Sequence, residues 1–218
     1  MKQQKWIYAV SAIAILAIFY FSAGQYKEQQ KESLSFLAKE NSEYFIRNHA
    51  PRKGAKDAKV YLVEFLDPEC ESCRRFHPEV KNILKKFEGK VQLVIRYAPF
   101  HRNSEIAVKA LEASRMQGKY WEALDLLFET QPEWGNHHNP QPEKIFEYLP
   151  KIGLDMERLR LDMELESINQ IIKQDTEDLQ ILGVRGTPTF FVNGKPLERF
   201  GMGPLEQLLS EEVSKAYK

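Results

Sequence analysis

Residues Val60–Val80 read VYLVEFLDPECESCRRFHPEV. The first seven are rich in β-branched and aromatic side chains and end at Asp67-Pro68, which interrupts a strand, so they predict a buried β-strand. Beyond this turn, apolar residues recur at three- and four-residue steps as far as Phe87 and stop before Gly89, which predicts an amphipathic helix. A strand therefore leads into a helix through a turn that carries two cysteines.

The elements that follow extend this unit into an α/β domain. VQLVIRY at Val91–Tyr97 predicts a second strand, and a strand-helix-strand unit usually builds a parallel pair. Helical periodicity then dominates residues 103–184, where we predict four or five helices. Pro188–Val192 has strand composition, Asn193-Gly194 predicts a hairpin turn, and Pro204–Tyr217 predicts a terminal helix.

The chain has two cysteines, Cys70 and Cys73, whose spacing on a helix brings their Cα atoms within disulfide reach. A purely structural bridge would add only about 2 kcal/mol, because the loop that it closes is short. A structural zinc site needs four ligands, and no second Cys-x-x-Cys occurs. Cys70 lies at the predicted helix N-terminus, which stabilises a thiolate, so we predict that Cys70 is the nucleophile and Cys73 the resolving thiol.

Two stretches carry a resemblance to a known family: Val63–Val80, and VRGTPTFFVNGK at Val184–Lys195. Together they resemble the DsbA-type branch of the thioredoxin superfamily, from about Val60 to the C-terminus. The resemblance implies a thioredoxin-like fold with an all-helical insertion. The segment between Tyr97 and Thr187 matches such an insertion and is too long for plain thioredoxin.

The resemblance also implies roles for three further residues. Pro188 matches the family's cis-proline, which lies against the active-site disulfide, and Thr187 before it offers backbone groups to a substrate strand. A trans-proline turn is the alternative. Glu64 matches a buried acid beneath the second cysteine, where a carboxyl with a raised pKa could exchange protons with Cys73. The alternative for Glu64 is an edge carboxylate that points to solvent.

The dipeptide between the cysteines departs from the Pro-His of the family. Glu71 adds negative charge beside the Cys70 thiolate, and the dipeptide offers no imidazolium. We therefore expect a higher Cys70 pKa and a less oxidising couple than in the strongest oxidases. His77 and His101 could supply positive charge from nearby, although surface or core positions are the simpler interpretation for both.

The N-terminal 59 residues have a different character. Trp6–Ala23 contains no charge and would cover about 27 Å as a helix, so residues 1–24 predict a transmembrane signal-anchor, with a cleaved signal as the alternative. Residues 25–59 predict a helical stalk and a basic linker. The stalk is interpreted as a spacer that lies on the domain at 60–218; a dimerisation helix is the alternative.

Composition limits the partners. Lys plus Arg and Asp plus Glu both total 31, so the net charge is zero and nucleic acid is not expected. No prosthetic group is needed for dithiol chemistry, and the adjacent His137-His138 predict a solvated loop rather than a metal site. Disulfide exchange fits the periplasmic side of the inner membrane, where cysteine-containing exported proteins would be the substrates.

We therefore expect a dithiol oxidase that a quinone-linked membrane partner reoxidises, as the resemblance implies. The same fold working as a reductase or isomerase, supplied by a thiol reductant donor, is the closest alternative. A copper carrier that uses Cys70 and Cys73, or a substrate-holding chaperone, is a further alternative. Copper binding normally recruits additional Met or His near the thiols, and no Met-rich segment lies beside them.

Overall fold

The computed structural model describes residues 2–136, 138–197 and 199–218. In this part of the chain the β-strands are β1 (Arg52–Lys53), β2 (Val60–Leu66), β3 (Val91–Tyr97), β4 (Thr189–Val192) and β5 (Lys195–Pro196). The α-helices are α1 (Lys2–Glu40), α2 (Glu71–Lys86), α3 (Ser104–Met116), α4 (Tyr120–Trp134), α5 (Ile145–Tyr148), α6 (Met156–Met163), α7 (Glu166–Ile181) and α8 (Met202–Ala216). Short 3-10 turns lie at Ser42–Tyr44, Pro142–Lys144 and Leu149–Ile152.

The strands form one mixed sheet in the order β1-β3-β2-β4-β5. β2 runs parallel to β3, which confirms the predicted parallel pair, and the other pairings are antiparallel. β2 is flanked on both sides, and alternate side chains point to opposite faces of a strand. Leu62 and Leu66 join the core that also contains Cys73, whereas Val63 and Phe65 join the core on the other face.

The β4–β5 hairpin has the predicted turn. Asn193 and Gly194 both have positive φ, 49° and 78°, as a type I′ hairpin turn requires. A Cβ on Gly194 would lie only 2.0 Å from the Ala38 Cβ, so the glycine also permits α1 to pack against this hairpin. The Asn193 side chain accepts a hydrogen bond from the Tyr61 backbone N–H at 2.9 Å, which ties the turn to β2.

Helices α3–α7 form the all-helical insertion between β3 and β4, as predicted for residues 103–184. Its core is built from large side chains with no more than 1% of their surface exposed: Leu111, Leu124, Leu127, Trp134, Ile145 and Leu149. The Trp134 indole is satisfied there, because its N–H donates to the Leu127 carbonyl at 2.9 Å. The insertion therefore packs as a continuation of the same core as the cysteine-bearing helix.

The N-terminal region contains one long helix and, after it, a short strand. One helix, α1, runs from Lys2 to Glu40, without a break between the predicted anchor and stalk. Its C-terminal part lies on the domain, because Leu34 is buried with Phe45 and Phe191. The predicted linker contains β1, which pairs with β3; two residues are too few for a strand pattern in the sequence.

Within the described residues, no helix combines the length and apolarity needed to cross a membrane. The structure thus gives no support to the anchor predicted over Trp6–Ala23.

Candidate active site

The active-site turn joins β2 to α2. Cys70 is the N-cap residue of α2, with an extended backbone, and its N–H donates to the Asp67 carbonyl at 3.1 Å. The Thr187-Pro188 peptide bond is cis, and Cys70 Sγ lies 3.3 Å from the Thr187 carbonyl oxygen. Residues separated by 117 positions in the chain thus meet at one thiol.

The two cysteines form no disulfide in this structure, and their pKa values are shifted in opposite directions. A hydrogen bond from Cys73 lowers the pKa of Cys70 to about 5, against the effect of burial; the Thr187 side chain and the backbone N–H groups of Ser72 and Cys73 act in the same direction. Cys73 is fully buried, and its burial, together with its hydrogen bond to Cys70, raises its pKa well above that of an ordinary thiol. At neutral pH the pair therefore presents an ionised outer sulfur and a protonated inner one.

Glu64 lies in the middle of β2 with 2% of its surface exposed, so the solvent-pointing alternative does not hold. Burial raises the pKa of Glu64 to about 8, and the charge of Glu64 in turn contributes to the raised pKa of Cys73. A carboxyl of this kind is mostly protonated at neutral pH. Glu64 is thus a buried acid that can hold a proton at neutral pH and whose charge acts on the Cys73 thiol.

Asp67 forms a buried hub beside the cysteines that the sequence did not reveal. Its backbone N–H lies 3.5 Å from Cys73 Sγ. Its carboxylate accepts hydrogen bonds from the backbone N–H groups of Glu69, Phe100 and His101, from the Ser104 hydroxyl and from His101 Nδ1. Hydrogen bonds from the residues that begin the insertion therefore hold the chain at the end of β2 in place. In the sequence, Asp67 reads only as a strand terminator, because most partners of its carboxylate lie more than 30 positions away.

Glu69 is the second buried carboxylate of this turn, with 2% of its surface exposed. It accepts hydrogen bonds from the Asn103 backbone N–H at 2.7 Å and from the Asn103 side chain at 3.1 Å. Two acidic groups are thus enclosed immediately before the nucleophile. A buried carboxylate is costly unless hydrogen bonds or a positive charge compensate it.

Gln131 on α4 also holds the turn in place. It is 1% exposed and donates to the carbonyl oxygens of Pro68 at 2.8 Å and Cys70 at 3.1 Å. Its own oxygen accepts a hydrogen bond from Arg74 Nε at 3.0 Å. The helical insertion therefore positions the backbone of the nucleophile, a role that no pattern in the sequence indicated.

The other candidate groups are His77, Glu71 and the pair His137-His138. His77 Nε2 lies 2.6 Å from Asp125 Oδ1, and burial lowers the pKa of His77, so this ring is largely neutral at pH 7. Glu71 is exposed to solvent, which weakens its effect on Cys70 by screening. His138 is exposed, and His137 lies outside the described residues. No group of three or more His, Cys, Asp or Glu residues that could hold a metal occurs in the part of the chain that the structure describes.

The thiolate can be tested directly. In the reduced protein, iodoacetamide should alkylate Cys70 with a rate that rises with pH through a midpoint near 5, because only the ionised sulfur reacts. Cys73 should stay unmodified at neutral pH, since it is buried and protonated. Peptide mass mapping after timed quenching separates the two sites. A midpoint near about 8.5, the value of a free cysteine, would contradict the assignment.

The chain is similar in sequence and in structure to known thioredoxin-like proteins. A family model described as thioredoxin matches residues 48–209. A thioredoxin-like oxidoreductase from Silicibacter pomeroyi is 29% identical, with a TM-score of 0.68 over 81% of this chain and 98% of that chain. Oxidised BdbD from Bacillus subtilis is 25% identical, with a TM-score of 0.68 over 76% of this chain and 94% of that chain.

Curated relatives are much longer proteins. The Na(+)/H(+) antiporter NhaA of Herminiimonas arsenicoxydans is 32% identical over 145 residues, which are 66% of this chain and 22% of that protein. The chain thus spans about a fifth of the length of the curated relatives that it matches.

Proposed function

Because the chain belongs to the thioredoxin family, in its branch of DsbA-type thiol-disulfide oxidoreductases, we propose that it acts outside the cytoplasm as a dithiol oxidase. Its substrates would be exported proteins whose cysteines it joins by donating the Cys70–Cys73 disulfide. The enzyme class itself, protein thiol-disulfide exchange, follows from the family. The direction, the substrates and the location are the proposal.

The observation that carries the proposed direction is the stabilised thiolate of Cys70. Its pKa, lowered to about 5, means that the reduced enzyme gains stability when its disulfide is passed on. A disulfide whose reduced form is stabilised is a strong oxidant. The exposed Glu71 opposes this effect only through screened charge, so we place the couple on the oxidising side although below the strongest oxidases.

The reaction proceeds in two exchange steps. A substrate thiolate attacks Cys70 Sγ of the oxidised enzyme, so that a mixed disulfide forms and the Cys70–Cys73 bond breaks. Cys73 leaves as a thiolate and takes the proton of Glu64, which holds one at neutral pH. A second substrate thiolate then attacks the substrate sulfur of the mixed disulfide, releasing the oxidised substrate and the Cys70 thiolate. Two electrons have passed from the substrate to the enzyme.

The surroundings of Cys70 suit an unfolded polypeptide. Phe200 is 60% exposed, and its ring lies 4.7 Å from that of Phe76 on the cysteine-bearing helix. Phe100, next to the Asp67 hub, is 48% exposed. Exposed aromatic side chains near a reactive group favour contact with apolar segments of a partner. Backbone groups at Thr187 would pair with the extended substrate strand that carries the reacting cysteine.

A location outside the cytoplasm is supported by the redox chemistry, because thiols are kept reduced inside most cells. The uncharged stretch Trp6–Ala23, preceded by Lys2 and Lys5, has the composition of an export signal. A membrane oxidase that passes electrons to quinone would restore the disulfide. Such a partner supplies the oxidant that each catalytic cycle consumes.

The reduction potential tests the direction. The purified full chain is equilibrated in glutathione buffers, quenched with an alkylating agent and scored for oxidised and reduced forms. We expect a value nearer to about −120 mV, as in strong oxidases, than to about −270 mV, as in thioredoxin. Glu71→Gln serves as the control and should raise the potential only slightly, since Glu71 is exposed. A value near thioredoxin would favour a reductase or isomerase instead.

A further inference from the structure

Two buried acidic residues lie close to the nucleophile in the active-site turn. Asp67 and Glu69 are 0% and 2% exposed, and both belong to the turn that ends at Cys70. Two carboxylates at this place would disfavour a thiolate by like-charge repulsion. The dipeptide Glu71-Ser72 adds no positive charge. A cation in the same cluster would offset this repulsion and add to the hydrogen bonds that already lower the pKa of Cys70.

Among the described residues, His101 is the one ionisable base that contacts either carboxylate. Its Nδ1 lies 2.7 Å from Asp67 Oδ2, and its backbone N–H donates to the same oxygen at 3.1 Å. In the part of the chain that the structure describes, the other donors to the two acids are backbone N–H groups, the Ser104 hydroxyl and the Asn103 amide, all of them neutral. The His101 side chain is 31% exposed, so its ring reaches the surface from the buried acid.

Asp67 links this ring to both thiols through the backbone. The Asp67 carbonyl accepts the Cys70 N–H at 3.1 Å, and the Asp67 N–H lies 3.5 Å from Cys73 Sγ. An imidazolium that is bound to the Asp67 carboxylate is thus held in a fixed position relative to Cys70. The groups whose charges act on His101 include Asp67 at the end of β2, Glu69 in the turn and Cys70 at the N-terminus of α2, and these three are acidic.

We propose that His101 is a positioning residue whose imidazolium, anchored by Asp67, offsets the two buried carboxylates and stabilises the Cys70 thiolate. It takes the place of the imidazolium that the Glu71-Ser72 dipeptide lacks. The proposal rests on thiol-disulfide exchange at Cys70 and holds for either direction of that exchange.

The charge balance agrees with the geometry. Burial lowers the pKa of His101, but the hydrogen bond with Asp67 and the charges of Asp67, Cys70 and Glu69 outweigh it and raise the pKa above the ordinary value of a histidine. Because coupling between two titrating groups is mutual, the charge on His101 lowers the pKa of Cys70 by the same interaction. A rise in pH that deprotonates His101 should therefore weaken the support for the thiolate.

The test compares variants that keep the hydrogen bond or the charge. His101→Asn retains an N–H near the Nδ1 position without a charge, and His101→Lys retains a positive charge. For each full-length variant, the rate of Cys70 alkylation by iodoacetamide is measured across pH. We expect His101→Asn to react between about threefold and tenfold more slowly below the wild-type midpoint, and His101→Lys to recover most of the rate.

The pH profile separates this role from a merely structural one. Above pH 9, where Cys70 is ionised in every variant, the rates should converge; a change in access or packing would lower the rate at all pH values. His77→Gln is the matched control, because this second histidine also pairs with an aspartate but is largely neutral, and its midpoint should equal that of the wild type.

An unshifted midpoint in His101→Asn would overturn the proposal, as would an equal shift in His77→Gln. A wild-type reduction potential near that of thioredoxin would overturn the oxidase assignment while leaving this midpoint shift intact. The two ideas therefore fail on different measurements.

Discussion

A Cys73→Ser enzyme mixed with an oxidised peptide is expected to stop at a covalent mixed disulfide through Cys70. The Cys70 thiolate attacks the peptide disulfide, but the inner thiol that would release it is absent. Serine suits this test because its hydroxyl can replace the hydrogen bond from Cys73 that most lowers the pKa of Cys70. Intact-mass analysis without reductant should show one peptide half per enzyme, and catalytic turnover should fall to the uncatalysed rate.

The reciprocal variant provides the control. Cys70→Ser leaves only Cys73, which is fully buried and protonated at neutral pH, so no adduct should form. Both variants should unfold in the same denaturant range as the reduced wild type, because neither thiol closes a loop in the reduced state. Adduct formation by Cys70→Ser, or turnover by Cys73→Ser, would reverse the assigned roles.

The sequence predicted those features that depend on residues close together in the chain. Strand β2, helix α2 and the N-terminal position of Cys70 follow from composition, periodicity and a turn within some twenty residues. The parallel pairing of β2 and β3 follows from the helix between them. The roles of Pro188 and Thr187 were predicted only from the family resemblance, because these residues lie far from Cys70 in the chain.

The unpredicted parts depend on distant pairing. Asp67 meets its partners at the start of the insertion 33 to 37 positions away, and Gln131 reaches the turn across 61 and 63 positions. A polar residue inside a helical pattern looks like any solvated one until the fold buries it. Glu71 shows the opposite case: its charge is evident in the sequence, but only its exposure indicates how strongly solvent screens it.

The far face of the sheet contains a second buried charge network, and it leads to the largest expected effect on stability. Arg96 on β3 is fully buried and donates to Asp175 at 2.9 Å and to Asp178 at 2.5 Å, both on α7. Arg47, in the segment after α1, donates to Asp178 through two bonds of 2.8 Å. His49 Nε2 lies 2.7 Å from Asp175. The network joins the sheet, the insertion and the N-terminal segment.

Arg96→Met should lower the free energy of unfolding by about 3–5 kcal/mol. Methionine fills much of the same volume, but it leaves two carboxylates that are at most 1% exposed without their shared guanidinium. Urea denaturation with matched slopes measures the loss. Arg158→Met is the control, because the Arg158–Asp162 pair is 56% exposed at the arginine and should cost less than about 1 kcal/mol.

The same network predicts an acid limit to stability. Burial opposes ionisation of Asp178, but hydrogen bonds from Arg47 and Arg96 outweigh it and lower the pKa of Asp178. This group therefore contributes its full stabilisation above about pH 4, the ordinary range of an aspartate, and loses it as the pH falls through the lowered value. Between pH 5 and pH 2 the wild type should lose more stability than Arg96→Met. In the variant, Asp178 has already lost one of the two arginines that bind it.

The position of this network also separates folding from catalysis. Val63 and Phe65 face the Arg96 side of the sheet, whereas Cys73 packs on the opposite face. Below the denaturation range, folded Arg96→Met should therefore keep the wild-type midpoint for Cys70 alkylation. A shifted midpoint would mean that the ion network is coupled through the sheet to the thiolate, and equal stabilities of Arg96→Met and Arg158→Met would mean that buried and exposed pairs contribute alike here.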